Sequence, residues 1–220
     1  MPLDFLLHLC MRYFFASCLF LLLSLPGFAQ RTFRAGLLAG LNGSQVHGDQ
    51  ASGFDKAGLV VGAFVCNDPS QKWYGQMELQ YTQKGSRKLA NPEMGDYTSF
   101  KISLHYVEAA FLARRNISKF YFEFGETVGI LGFAREWDVN GEIQPTGYRR
   151  WETAFIVGIG MGFTENIYLD FRYTNSLFPV KPFPSPIYDP RFFFRWFNRG
   201  FYNNVLGITL CYRFGVPASE

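Results

Sequence analysis

Little in this chain of 220 residues suits reaction chemistry: it has four cysteines, three histidines and a charged fraction of only 18%. Two of the cysteines, Cys10 and Cys18, fall in an N-terminal stretch that reads as a removable leader. Cys66 and Cys211 remain, too few and too isolated for a metal cluster or a disulfide framework, and they read as lone side chains on strands. A formal charge of +3, small and scattered, excludes a nucleic-acid surface. Past the leader no apolar run reaches the ~18 residues of a transmembrane helix. Ala, Glu, Lys and Leu do not dominate, which excludes a coiled coil. Disorder is excluded by what is abundant: 25 Phe, 12 Tyr and 4 Trp make the chain 19% aromatic, beside 22 Gly. The composition is that of an all-β protein with much aromatic surface to place.

Arg12 precedes an apolar run from Tyr13 to Leu25, then Pro26-Gly27, and Gly27 and Ala29 supply the small residues a signal peptidase reads. Residues 1–29 are therefore expected to be a signal peptide and 30–220 a single domain, with Met1 or Met11 as the start. Cys18 lies inside the apolar run rather than at its end, so no lipid anchor is expected. An exported chain is not a cytosolic enzyme.

Beyond the leader the pattern has period two. Trp73, Gly75, Met77, Leu79 and Tyr81 fall on one face, and Tyr74, Gln76, Glu78, Gln80 and Thr82 on the other. The same alternation sorts residues 33–43, 120–125, 155–163, 168–174 and 206–214, with weaker versions in 56–65 and 102–114. Together these predict eight strands of about nine to thirteen residues, the length a tilted strand needs to cross a hydrocarbon core. The intervening segments alternate long and short: 44–55, 67–72, 83–100, 115–119, 130–150, 164–166 and 175–202. Outer-membrane barrels show that asymmetry, with tight periplasmic turns and extended external loops. The reading is an eight-stranded antiparallel up-and-down transmembrane β-barrel. Phe, Leu, Ile, Met and Tyr faces would meet lipid. Arg34, Glu78, Glu123, Asp170, Arg172 and Arg213 would turn inward and pair, because an unpartnered buried charge is costly. An eight-strand interior is filled by side chains, which argues against a wide pore.

Residues Gly40 to Asp49, Ser52 to Leu59, Glu78 to Gly85 and Tyr106 to Ala110 resemble the PorT-like outer-membrane barrels of the porin family of the Bacteroidetes. Tyr212-Arg213-Phe214 is similar to the terminal aromatic signal read by the barrel-assembly machinery. The resemblance spans essentially the whole mature chain. It implies an eight-stranded barrel in the Gram-negative outer membrane and says little about activity. His47, where the family usually has an acidic residue, and the long Pro- and Phe-rich final loop depart from it.

Several short motifs imitate chemistry. Ser44, His47 and Asp49 are triad residue types, but residues so close along one loop rarely reach triad geometry, and no nucleophile elbow is present. Gly158, Gly160 and Gly162 imitate part of a dinucleotide fingerprint without the helix that the phosphate needs. His105 has no second ligand at metal spacing. No catalytic, cofactor or metal site is expected. In the last loop, Arg191, Phe193, Arg195, Trp196 and Arg199 interleave basic and aromatic residues and form a candidate external docking surface for protein or lipopolysaccharide. The expected role is structural or interactive within the envelope, with a secretion accessory as one form of it. Expected partners are outer-membrane lipid and lipopolysaccharide, the barrel-assembly machinery, and an envelope or secretion-system protein. The alternative is a narrow channel for small solutes.

Overall fold

The computed structural model describes residues 33–48, 53–182 and 200–215. The expected leader, Asp49 and the docking residues between 191 and 199 lie outside them.

Eight long strands form the wall: β1 (Arg34–His47), β2 (Lys56–Cys66), β3 (Trp73–Lys88), β4 (Phe100–Ile117), β5 (Phe120–Asp138), β7 (Trp151–Gly162), β8 (Ile167–Ser176) and β10 (Gly200–Arg213). Two short pieces, β6 (Gly141–Ile143) on β5 and β9 (Lys181–Pro182) on β10, sit at the long-loop end. Every neighbouring pair of long strands is antiparallel. The ring closes where β1 meets β10, from Gly36 opposite Arg213 to His47 opposite Tyr202. No long strand keeps a free edge.

The stagger of the ring follows from its register. Ala35 lies opposite Val65, and the same row continues through Met77, Phe111, Glu126, Phe155, Asn175 and Asn204 to Gln45. One circuit therefore climbs ten residues along β1. For eight strands this corresponds to a tilt of about 40°, and the ten-residue climb spans about 25 Å along the barrel axis.

Period two decides the faces. Along β1, Leu37, Ala39 and Leu41 are exposed outward while Leu38, Asn42 and Ser44 are buried. The outer wall carries Leu59, Val61, Met77, Leu79, Phe111, Phe122, Phe124, Ile159 and Phe171, all exposed. Phe33, Trp73, Phe120, Phe163, Tyr212 and Phe214 stand exposed around the short-turn end, and Phe133 and Trp151 toward the other. An apolar band flanked by aromatic side chains is the surface a bilayer requires.

The ladders run further than the hydrophobic pattern. β3 continues to Lys88, β4 begins at Phe100 and β5 reaches Asp138, so much of segments 83–100 and 130–150 is strand rather than loop. Residues such as Gln83, Lys84, Ser86 and Arg87 are polar on both faces. A ladder that leaves the hydrocarbon loses its alternation while keeping its hydrogen bonds. A bulge between His105 and Tyr106 marks the passage into this taller part. At the hairpin tip Lys88 pairs with Asp96 at 2.8 Å.

Candidate functional site

The lumen holds the only dense set of ionisable groups among the described residues, arranged in two tiers. In the tier nearer the short turns, Arg172 of β8 reaches across the barrel to Glu78 of β3 through two hydrogen bonds of 2.7 Å. It also binds Glu123 of β5 at 2.6 Å and Asp170 at 2.9 Å. Arg114 of β4 binds Glu123 and Asp170, each at 2.8 Å, and donates to the Gln76 side chain at 2.9 Å. Tyr121 donates to Asp170, and the Cys211 thiol lies 3.5 Å from the same carboxylate. The Tyr121 and Tyr168 rings stand 4.8 and 5.2 Å from the Arg114 guanidinium.

Small residues make this crowding possible. A methyl group on Gly160 would fall 2.0 Å from the Tyr121 ring, and one on Gly158 would fall 2.7 Å from the Glu123 carboxylate. Gly158 and Gly160 of β7 are thus space for their neighbours' side chains.

In the tier toward the long loops, Lys84 of β3 bridges Glu108 of β4 at 2.5 Å and Glu152 of β7 at 3.2 Å. Gln80 donates to Glu108, while Ser176 and Asn203 donate to Glu152. A cavity of about 30 Å³ lies between the tiers against Asn42, Gln80, Thr82, Lys84, Glu108 and Arg172, with room for about two water molecules.

Of the six lumen residues named from sequence, Glu78, Glu123, Asp170 and Arg172 converge. Arg34 and Arg213 do not join them. Arg213 caps the short-turn end, stacking on Tyr168 at 5.0 Å and donating to the Glu165 carbonyl, and Arg34 has no ion pair among the described residues. Both lie at the ends of their strands, too far along the axis to reach the central carboxylates. Arg114 takes their place. Its position at the end of a weakly alternating segment hid it, although the inward face Glu108, Ala110, Leu112 and Arg114 was readable. Lys84 and Glu152 lie outside the alternating segments, in 83–100 and just before 155–163, whereas Glu108 stands on the inward face of 102–114 with nothing in its own strand to name its partner.

The lumen is also less uniformly polar than expected. Leu38, Phe64, Tyr74, Tyr121 and Tyr168 bury a cluster with the free thiols of Cys66 and Cys211 at the short-turn end. Ser44 faces inward and donates to the Lys56 carbonyl, whereas His47 is exposed on the opposite face of β1, so the two do not form a catalytic pair. His105 sits on the outer wall, stacked on Phe133 and hydrogen-bonded to Tyr81 at 2.6 Å.

Two carboxylates outside the wall are held ionised by their neighbours. Hydrogen bonds from Lys88 and Thr98 keep Asp96 well below the usual carboxylate range. Those from Ser70 lower Asp68 in the turn between β2 and β3.

The family described as outer membrane protein beta-barrel domain matches residues 28–181 of the chain. Among solved structures, Neisserial surface protein A is similar with a TM-score of 0.51 at 12% identity, covering 82% of this chain and 97% of that one. The attachment invasion locus protein of Yersinia pestis is similar with a TM-score of 0.44 at 15% identity, covering 83% and 99% respectively. No curated protein matches. With a closed ring of eight antiparallel strands and an apolar outer band already in place, the match over most of its length means that this chain belongs to the outer membrane protein beta-barrel family.

Proposed function

We propose that the chain is a non-enzymatic structural or interaction protein of the outer membrane, its barrel serving as a rigid base for the external loops. The observation that carries this reading is the filled lumen. Arg172 spans from β8 to Glu78 on β3, Arg114 links β4 to Asp170 on β8, and both tiers close the bore. A base of this kind leaves recognition to what it displays.

The final loop is the best candidate for display. Its ends are tied to the outer rim: Val180 is buried and exchanges backbone hydrogen bonds with Arg149 and Phe201, and Lys181 pairs with Glu136 at 3.2 Å. Arg191, Phe193, Arg195, Trp196 and Arg199 follow between these tethers, and their chemistry suits an envelope or secretion-system protein or the phosphates of lipopolysaccharide. The PorT-like resemblance supports the secretion form of this role. Arg191, Arg195 and Arg199 replaced together by Gln should abolish binding of the partner or of lipopolysaccharide while heat-modifiable migration of the barrel stays normal; unchanged binding would rule out this loop.

The channel alternative makes a separate prediction. Refolded into a planar bilayer, the protein should show no discrete conductance steps, and steady single-channel current would overturn the closed-base reading.

A further inference from the structure

Outside the lumen, one charge stands where a bilayer does not tolerate it. Glu126 of β5 is exposed on the outer wall between Phe124 and Val128, opposite Phe111 of β4 and Phe155 of β7. On the row that climbs from Ala35 to Gln45 it lies four strands of eight around, which places it at half the height of the apolar band. Among the described residues no hydrogen bond or ion pair reaches its carboxylate. A side chain as short as Glu cannot carry its charge from there to either interface, and an ionisable group at mid-bilayer is costly unless something pairs with it.

The surrounding wall is dented. A shallow depression runs past Glu126 between Phe111, Phe124 and Phe155, lined also by Gly75, Ala113 and Gly125. Barrel packing requires glycine at position 125, where a methyl would fall 1.9 Å from the Phe111 carbonyl oxygen, but not at position 75, where it would meet only the Leu112 carbonyl oxygen, at 3.9 Å. The small residues keep open a space that lipid would otherwise fill.

We infer that the β4–β5–β7 outer wall is an intramembrane docking surface for a membrane-embedded partner that presents a Lys or Arg side chain to Glu126. Charge complementarity selects this occupant over a second copy. A twofold axis along the membrane normal would set Glu126 against Glu126. The outward basic residues of the described strands, Arg115 at one end and Arg87, Lys101 and Arg135 at the other, lie at different depths. The depression admits the partner's backbone close to the wall, and the flanking rings exclude lipid from the ion pair.

Two measurements test this on the full chain. A photoreactive phenylalanine analogue at Phe111, irradiated in native outer membranes, should give an adduct with a different protein whose crosslinked peptide contains Lys or Arg. Glu126→Leu and Glu126→Lys should each lower that adduct at least tenfold. Adducts with lipid only, with a second copy, or unaffected by these substitutions overturn the inference. Refolded alone into phosphatidylcholine vesicles, Glu126→Leu should unfold at higher urea than the parent, since an unpaired carboxylate leaves the hydrocarbon; an equal or lower midpoint also overturns it. This surface is separate from the outer loops, so conductance and loop substitutions bear on the proposed function and crosslinking bears on this one.

Discussion

Glu123 and Glu126 are three residues apart on β5, yet one faces a lumen in which it touches two arginines and the other faces hydrocarbon with no ion pair among the described residues. The same side chain thus meets two low-dielectric surroundings. Inside, the fold supplies Arg114 and Arg172 with fixed geometry, and the fully buried charges become a cross-brace between strands that are not neighbours. On the wall no described residue compensates, which is the ground for the proposed partner. In a barrel, a strand's alternation assigns each residue not to inside or outside water but to one of two dry media with opposite rules.

The contrast can be broken most severely from within. Arg172→Met leaves Glu78, Glu123 and Asp170 with Arg114 alone, and removal of one partner from a buried ion network costs about 3–5 kcal/mol. Urea unfolding in vesicles followed by tryptophan fluorescence should show a loss of that size, and a change below about 1 kcal/mol would mean that the lumen is hydrated. On the wall, Leu79→Arg adds a second unpaired charge near mid-bilayer and should destabilise by about 2–4 kcal/mol in the same assay. Glu126→Leu should act in the opposite direction, with a gain of about 1 kcal/mol in pure lipid, because acidic residues cost less there than basic ones.

The smallest effect concerns the hairpin tip that leaves both media. Asp96 is ionised more readily folded than unfolded, so its contribution is present above the ordinary carboxylate value near 4 and fades as pH falls through the lowered one. Amide protection at residues 89–99, taken against the intrinsic exchange rate at each pH, should therefore fall below about pH 4 while protection in the wall strands does not, and Asp96→Asn should remove that pH dependence.

Much of the wall was legible in the sequence because hydrocarbon enforces a strict rule on every second residue. Trp73 through Tyr81 and Leu206 through Phe214 could be sorted by that rule alone. Where the rule lapses, the reading stops: the upper part of β3 is polar on both faces, so the ladder through Lys84 reads as loop, and Glu152 precedes the alternating stretch of β7. Partner choice inside the lumen was legible only as chemistry. Which arginine meets Asp170 depends on the stagger of the ring, and no single strand carries that information. Glu126 is readable as the charged exception on the face of Phe120, Phe122 and Phe124, one residue past the stretch whose alternation sorts cleanly.

The seam between β1 and β10 imposes an order on the making of the molecule. Leu37 pairs with Tyr212 and Leu41 with Ile208, so the first strand to emerge waits for the last before its second edge is satisfied. Closing a loop that long is entropically expensive and slow compared with forming the hairpins between, and until then the open ribbon has two sticky margins. The chain therefore cannot become itself progressively during export. The ring stays open until the last strand is delivered, and its closure belongs where lipid is ready to receive the outer face.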